Sequence, residues 1–437
     1  MRDGGRIAAA IEVLKGIEQH HRPARLALKA WGDTSRYAGA KDRAWVSGLV
    51  LDALRHRRSL AWRAGADTPR AIAMAALVFG WGWSAGQVAE AFAEAPHGPG
   101  LLSDDERQAL ARPRSLENAP APVRGDYPDW LDPHLERVFG EERADEAAAL
   151  AARAPVDLRV NSLKAEAGRA LNVLAPLGVQ PAGILPQALR LSPPDPAARA
   201  APVEAQPEHQ RGWYEVQDLG SQIAAAAAGE VAGRQVLDLC AGGGGKTLAL
   251  AAAMGNTGQL YAYDADVRPL SETVKRAQRA GVRNLQVRSP LRPDALADLE
   301  RRMDVVFVDA PCSGSGTWRR HPDAKWRLRP GQLERRMAEQ DAVLAETAAY
   351  VKPGGRMVYA TCSVLAEENE DRVTGFLDAH ADFTPVDALE SVRASGLADE
   401  AGLEALAERR TPAGFLRLSP RSLGVDGFFI AVLERAR

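Results

Sequence analysis

The chain has 437 residues, 46% hydrophobic and 26% charged, with a formal net charge of −2. That length exceeds one typical domain, and the composition is that of a folded globular protein, which excludes a disordered chain. The near-zero net charge gives no global footprint for nucleic acid, but residues 1–70 carry 14 Lys/Arg against 7 Asp/Glu, and residues 313–340 carry 7 against 3.

There are only three cysteines, Cys240, Cys312 and Cys362. They are too few for a disulfide scaffold and too widely spaced for CxxC-type zinc ligation. A reducing, cytoplasmic setting without a bound metal is expected. The N-terminus leads into an Ala-rich amphipathic segment, and no run of 18 apolar residues occurs, so neither a leader nor a membrane span is expected.

In chain order, residues 6 to about 110 read as helices only. Ile7, Ile11, Leu14, Trp45, Val46, Leu49, Val50 and Ile72 recur at helical spacing. A Pro- and Gly-bearing stretch over 112–125 reads as a linker. Short helices are expected over 128–140 and 142–153. The texture then changes. Leu158-Arg-Val-Asn161 and Leu189-Arg-Leu191 read as strands around a helix at 164–177, followed by an exposed loop over 193–210. Beyond it, strand and helix alternate. Strands are expected at 236–239, 259–263, 285–288, 305–308, 356–360 and 428–433, with helices between them. Such alternation predicts an α/β domain, a parallel sheet covered on both faces. The expected division is a helical domain over 1–118, a small α+β module over 126–205 and an α/β domain over 206–437.

Cys240-Ala-Gly-Gly-Gly-Gly-Lys-Thr247 follows the first strand of the α/β domain and opens a helix. Glycines let backbone approach a ligand closely, and a helix start offers free N–H donors. Three ligands are open. A triphosphate loop of GxxxxGK[ST] type needs glycine at 240, where Cys240 stands. A dinucleotide loop of GxGxxG type starting at Gly242 needs glycine at 247, where Thr247 stands. S-adenosylmethionine needs an acid at the end of the second strand for the ribose hydroxyls, and Asp264 closes that strand. The loop with Asp264 favours this third ligand.

Asp309-Ala-Pro-Cys312 and Thr361-Cys362 each leave a strand. Ligands of open parallel sheets bind outside the carboxyl ends of strands, so the glycine loop, Asp264, Asp309, Cys312 and Cys362 are expected at one rim. A thiolate there suits methylation of a pyrimidine. Carbon 5 is a poor nucleophile until a thiolate adds to carbon 6, and a second group must afterwards remove the carbon 5 proton. An acid such as Asp309 can stabilise charge as it develops.

Asp309-Ala-Pro-Cys-Ser-Gly-Ser-Gly316 with Tyr359-Ala-Thr-Cys-Ser363 resembles the paired signature of the RsmB-like (Nop/Sun-type) RNA cytosine-5 methyltransferases. Leu158-Arg-Val-Asn-Ser-Leu-Lys164, Tyr214-Glu-Val-Gln-Asp218, Arg320-His-Pro-Asp-Ala-Lys-Trp-Arg327, Gln340, Lys352-Pro-Gly-Gly355, Glu367-Glu-Asn369 and Asp426-Gly-Phe-Phe429 follow in that family's order. The likeness covers about 156–437, and the helical N-terminal third resembles a NusB-like RNA-binding domain more loosely. The resemblance implies a Rossmann-like class I methyltransferase domain behind the small module, with S-adenosylmethionine as cofactor and RNA, ribosomal before transfer RNA, as partner of a monomeric chain. It implies Cys362 as the nucleophile, Cys312 in product release and Asp309 at the base or the cofactor. It places the cofactor on Cys240, Ala241, Gly242, Gly243, Gly244, Gly245, Lys246, Asp264 and Asp309. Two departures stand out. Gly242-Gly243 replaces the family's Ala-Pro, which predicts a looser loop. No Asp follows the third strand, where Ser289 is the candidate substitute. An RNA-binding assembly factor that has lost its chemistry is the competing expectation.

For RNA, Trp318-Arg319-Arg320-His321 and Lys325-Trp326-Arg327 interleave aromatic and basic residues after Cys312. Arg319, Arg320, Lys325, Trp326 and Arg327, with Arg159 and Asn161, are the expected contacts. Lys41, Arg43, Arg55, Arg57 and Arg58 suggest a second phosphate-binding surface.

Overall fold

The computed structural model describes residues 1–193, 195–198 and 201–437. They form two compact units. Residues 194, 199 and 200, within the loop expected over 193–210, lie outside the description.

The first unit comprises Met1–Arg153, the described part of Pro194–Ala201, and Trp318–Leu328. Its main helices are α1 (Asp3–His20), α2 (Ala24–Thr34), α3 (Ala40–Arg55), α4 (Arg57–Ala64) and α5 (Pro69–Ala75). The helical spacing in the sequence builds its core. Ile7, Ile11 and Leu14 of α1 meet Val46, Leu49 and Val50 of α3 and Ile72 of α5, all buried. Helix starts are chemically marked: Thr68 accepts from Ala71 N–H ahead of Pro69, and Ser84 and Ser103 form capping boxes with Gln87 and Glu106. The helices over 121–151 also group here, so the small module begins only at residue 154. Among the described residues no helix is long and apolar enough to cross a membrane.

The second unit holds two sheets. The smaller is antiparallel, with β1 (Val156–Val160), β2 (Gln180–Pro181), β3 (Ala188–Leu191) and β4 (Tyr214–Val216) in the order β2-β3-β1-β4. The larger contains β5 (Gln235–Asp238), β6 (Gln259–Tyr263), β7 (Leu285–Arg288), β8 (Met303–Asp309), β9 (Val351–Thr361), β10 (Phe383–Val386), β11 (Leu416–Leu418) and β12 (Phe428–Arg435). Its order is β10-β12-β9-β8-β5-β6-β7, with β11 pairing β12. Strands β5 to β9 are parallel, as expected. The expectation of an all-parallel sheet fails at β12, which runs antiparallel to β9, β10 and β11. A parallel neighbour needs a crossover back to the starting edge, whereas β11 reaches β12 through a short connection.

The central strands read as continuous apolar runs because helices cover both faces. In β8, Val305 and Phe307 join one core while Val306 and Val308 join the other. The same alternation divides Val358 and Ala360 of β9 from Met357 and Tyr359. Chain order reverses between β5 and β8. That is the switch point of a Rossmann-like sheet, and the carboxyl ends of β5, β6, β8 and β9 surround it.

Candidate active site

The glycine loop leaves β5 after Asp238 and feeds the helix Gly245–Ala253. Gly244 has φ +82°, and a Cβ there would lie 2.8 Å from Thr273 Cγ2, so two constraints require glycine. Gly242 also has positive φ, but a Cβ there would meet open space. The greater freedom expected of Gly242-Gly243 is offset by side chains. Asp264 Oδ2 accepts from Gly242 N–H at 2.8 Å, and Thr273 Oγ1 donates to Gly242 O at 3.0 Å. Arg276 Nη1 donates to Gly243 O at 2.5 Å, while its Nη2 donates to Glu215 at 2.9 Å. Glu215 is buried on β4 and also accepts from Arg279. The small sheet thus anchors the arginine that holds the loop. Replacing Arg276 with Met removes a charge-assisted bond, and S-adenosylhomocysteine should bind about tenfold more weakly by calorimetry. Unchanged affinity would show that Asp264 and Thr273 suffice.

Three carboxyl groups line the same rim. Asp264 Oδ1 also accepts from Asp266 N–H at 2.8 Å, which leaves further lone pairs on both oxygens. Asp238 is fully buried; its Oδ2 accepts from Thr247 Oγ1 at 2.6 Å while Oδ1 has no partner. Burial pushes its pKa up to about 7. Asp309 Oδ2 accepts from Lys246 Nζ at 2.5 Å, and that ammonium lies 5.3 Å from the Phe428 ring centre. Burial works against the Lys246 charge, but Asp309, Cys362 and Asp238 together hold its pKa above the usual lysine range.

This charge distribution separates the three ligands. A triphosphate or pyrophosphate would face Asp238, Asp264 and Asp309, with the one lysine of the loop already engaged. A cationic sulfonium bearing an ammonium group and ribose hydroxyls suits the same carboxylates, the orphaned Asp238 Oδ1 included. The residues present therefore fit S-adenosylmethionine. The Cys240 thiol packs against the core, and burial, then Asp238, Asp264 and Asp309, push its pKa well up. Ala241 packs with Ala262 and Leu270. Ser289 Oγ accepts from Leu291 N–H at 3.3 Å. It lines a cleft of about 550 Å³ with Arg288, Arg292, Asp294 and Asp298. Acidic side chains thus occur on this side a few residues later than the sequence pattern suggested.

The adjacent parallel strands β8 and β9, with Asp309 opposite Ala360, release their loops side by side. Cys312 Sγ and Cys362 Sγ lie 3.3 Å apart, both partly exposed. The contact with Cys362, then burial, then the Glu368 charge push the Cys312 thiol well above the ordinary range. The loops are fastened to each other. Gly316 N–H donates to Cys362 O at 2.9 Å, Val364 N–H to Ser315 Oγ at 2.9 Å, and Gly427 N–H to Gly316 O at 2.8 Å. A Cβ on Gly316 would sit 2.0 Å from Gly427 O, so these two backbones touch only because both residues are glycine. Behind them lies Glu368, fully buried. Sequence reasoning noted it only as part of a motif, and gave Arg276 and Glu215 no role. Their contacts span dozens of residues and leave no local pattern.

The expected RNA contacts are corrected by burial. Arg159 is 4% exposed and donates to Gln217 at 2.7 Å; Asn161 is 2% exposed and donates to Gly212 O and Ala280 O, both at 2.8 Å. Lys325 is 1% exposed, donates to Arg55 O at 2.8 Å, and is lowered by burial to about 7. Trp326 Nε1 donates to Leu54 O at 2.6 Å, and its ring packs on the helical core. Arg319 is buried, Arg320 is half-buried, and Arg327 pairs with Asp323 at 2.9 Å. The interleaved segment is thus a strap of the first unit. Nor does the second set stand free. Arg55 is buried, Arg57 pairs with Glu18 and Asp67, Arg58 pairs with Asp129, and Arg43 donates to Ala38 O. Lys41 is exposed.

Comparison with known proteins agrees with this geometry. Residues 228–434 match the model of the family described as 16S rRNA methyltransferase RsmB/F. Ribosomal RNA small subunit methyltransferase B of Pectobacterium carotovorum is 32% identical over 350 residues, 78% of this chain and 74% of that protein. Its counterpart in Citrobacter koseri is 33% identical over 293 residues, 66% of this chain and 67% of that protein. A methyltransferase homologue from Pyrococcus horikoshii superposes with a TM-score of 0.57 at 26% identity, covering 72% of this chain and 97% of its own. The chain belongs to the 16S rRNA methyltransferase RsmB/F family, whose methyl donor is S-adenosylmethionine.

Proposed function

We propose that this enzyme methylates carbon 5 of a cytosine in ribosomal RNA through a transient bond between Cys362 and carbon 6 of the base. The observation that carries the reading is the pair of sulfurs 3.3 Å apart, beyond the strand end where Asp309 accepts from Lys246 of the glycine-loop helix. A single buried thiol is inert packing; two partly exposed thiols in contact beside a methyl-donor loop have a chemical use. S-Adenosylmethionine supplies an electrophilic methyl carbon.

The residues divide the remaining work. The Cys362 sulfur gives its thiol proton to solvent and adds to carbon 6 as the 5,6 double bond opens, which makes carbon 5 electron-rich enough to take the methyl group as the donor's sulfur–methyl bond breaks. Asp309, one oxygen held by Lys246, accepts from the cytosine amino group with the other and fixes the ring. Cys312 begins as a thiol, held so chiefly by its contact with Cys362. Once the Cys362 sulfur is bonded to carbon, that contact no longer favours the thiol, and the Cys312 pKa falls. Cys312 then releases its proton to solvent and takes the one on carbon 5; the freed electron pair re-forms the 5,6 double bond as the carbon 6–sulfur bond breaks and Cys362 leaves as thiolate.

RNA is held elsewhere than the interleaved strap. Arg22, Arg25 and Lys29 recur at helical spacing at and along α2, all exposed, and none is in an ion pair among the described residues; exposed Arg36, Tyr37 and Lys41 follow. Charge reversal of Arg25 and Lys29 together should weaken RNA binding and lower the slope of log affinity against log salt by about 2. An unchanged slope would place the phosphates on another surface.

The reading is tested by incubating unmodified small-subunit ribosomal RNA and, separately, unmodified transfer RNA with labelled S-adenosylmethionine and identifying the product nucleoside. The expected product is 5-methylcytidine. Label in another nucleoside would overturn the assignment of the base. Label only in transfer RNA would keep the chemistry and change the partner. No label would favour an assembly factor without chemistry.

A further inference from the structure

We propose that Glu368 is a positioning residue that fixes the spacing of the two reactive sulfurs. It accepts from Ser313 N–H at 2.6 Å, from Ser313 Oγ at 2.5 Å, from Ser363 Oγ at 2.5 Å and from Gln340 Nε2 at 3.2 Å. Ser313 follows Cys312 and Ser363 follows Cys362, so one carboxylate gathers the residue next to each thiol. It is wholly buried, and no Lys or Arg pairs with it among the described residues. A buried charge is costly, and here hydrogen-bond donors alone offset that cost. The neighbouring frame is also tied down. Tyr359 OH donates to Glu368 O at 2.7 Å, and Asn369 accepts from Thr361 Oγ1 at 2.5 Å while donating to Ser363 O at 3.0 Å. Glu368 therefore joins the residues that follow the two cysteines, in addition to the bonds from Gly316 to Cys362 and from Val364 to Ser315 that fasten the loops after β8 and β9.

The roles of the sulfurs rest on the function proposed above, but their spacing does not, and the test reads the spacing alone. Dibromobimane becomes fluorescent when both its arms have alkylated thiols. It should bridge Cys312 and Cys362, 3.3 Å apart, readily in the wild type, and peptide mapping of the bridged product separates this pair from any bridge to the partly exposed Cys240. In Glu368→Ala, bridging should slow about tenfold, with single-thiol alkylation by monobromobimane and S-adenosylhomocysteine affinity near wild type. Methyl transfer should fall about 100-fold in kcat, as expected for reacting groups misplaced by about 1 Å, with KM for the cofactor little changed. Glu368→Gln, which keeps one carbonyl acceptor, should fall between. Should Glu368→Ala fail to fold, the double variant Ser313→Ala with Ser363→Ala removes the hydroxyl donors, and the same slowing is expected. Wild-type bridging and kcat in whichever variant folds would overturn the proposal. A wild type that makes no 5-methylcytidine but bridges, with bridging slowed in the variants, would overturn the function and leave the positioning role standing.

Discussion

Under the proposed mechanism, replacing Cys362 with alanine should abolish methyl transfer, by at least about 10⁴-fold, because no other group would then activate carbon 5. Cofactor binding should survive, since the glycine loop is held by Asp264, Thr273 and Arg276 and not by either thiol. RNA binding should survive as well. A filter assay for labelled RNA beside calorimetry with S-adenosylhomocysteine separates these terms. Residual activity within tenfold of wild type would mean that Cys362 is a bystander. The same variant has a second use: with the Cys362 sulfur gone, the largest influence raising the Cys312 pKa is gone too. Cys312 should then react with iodoacetamide at lower pH than it does in the wild type.

Replacing Cys312 with alanine has the opposite signature. If the proposed division of labour holds, attack on carbon 6 and methyl transfer should proceed, but nothing would remove the carbon 5 proton, so the Cys362–carbon 6 bond should not break. A protein–RNA adduct that survives denaturation should accumulate toward one per enzyme, while turnover falls about 10²–10⁴-fold, the usual range for loss of a proton-transfer group. Gel retardation under denaturing conditions reads the adduct directly. Normal turnover without adduct would reassign the proton to another group and leave Cys312 as a neighbour that only shapes the site.

The sheet was legible where physics repeats itself along the chain. Strands β5 to β9 are covered on both faces, so Val305 to Val308 read as one apolar run. Asp309 and Cys312, leaving that run into a polar loop, marked the carboxyl-end rim to which the fold brings Cys362 as well. The antiparallel β12 was legible as a strand but not in its direction, because direction depends on how the chain returns. The strap at 318–328 misled for a definite reason. Local pattern shows that Lys325 and Trp326 alternate with other basic residues but not which way they face, and both turn onto the helical core. Arg276 was silent, and Glu215 and Glu368 stood only inside motifs with no role, because Arg276, Glu215 and Glu368 each have partners dozens of residues away. The nearest signal for Glu368 was the serine after each cysteine, which only the fold turns toward one carboxylate.

The central claim is that Cys362, and not Cys312, forms the bond to the base. RNA carrying 5-fluorocytidine tests it most directly, because fluorine on carbon 5 cannot leave as a proton and the adduct is held. Wild-type enzyme, this RNA and S-adenosylmethionine should give a stable adduct whose digested peptide, sequenced by mass spectrometry, carries the methylated fluoropyrimidine on Cys362. The modification on Cys312, or no adduct from an enzyme that methylates ordinary RNA, would contradict the account.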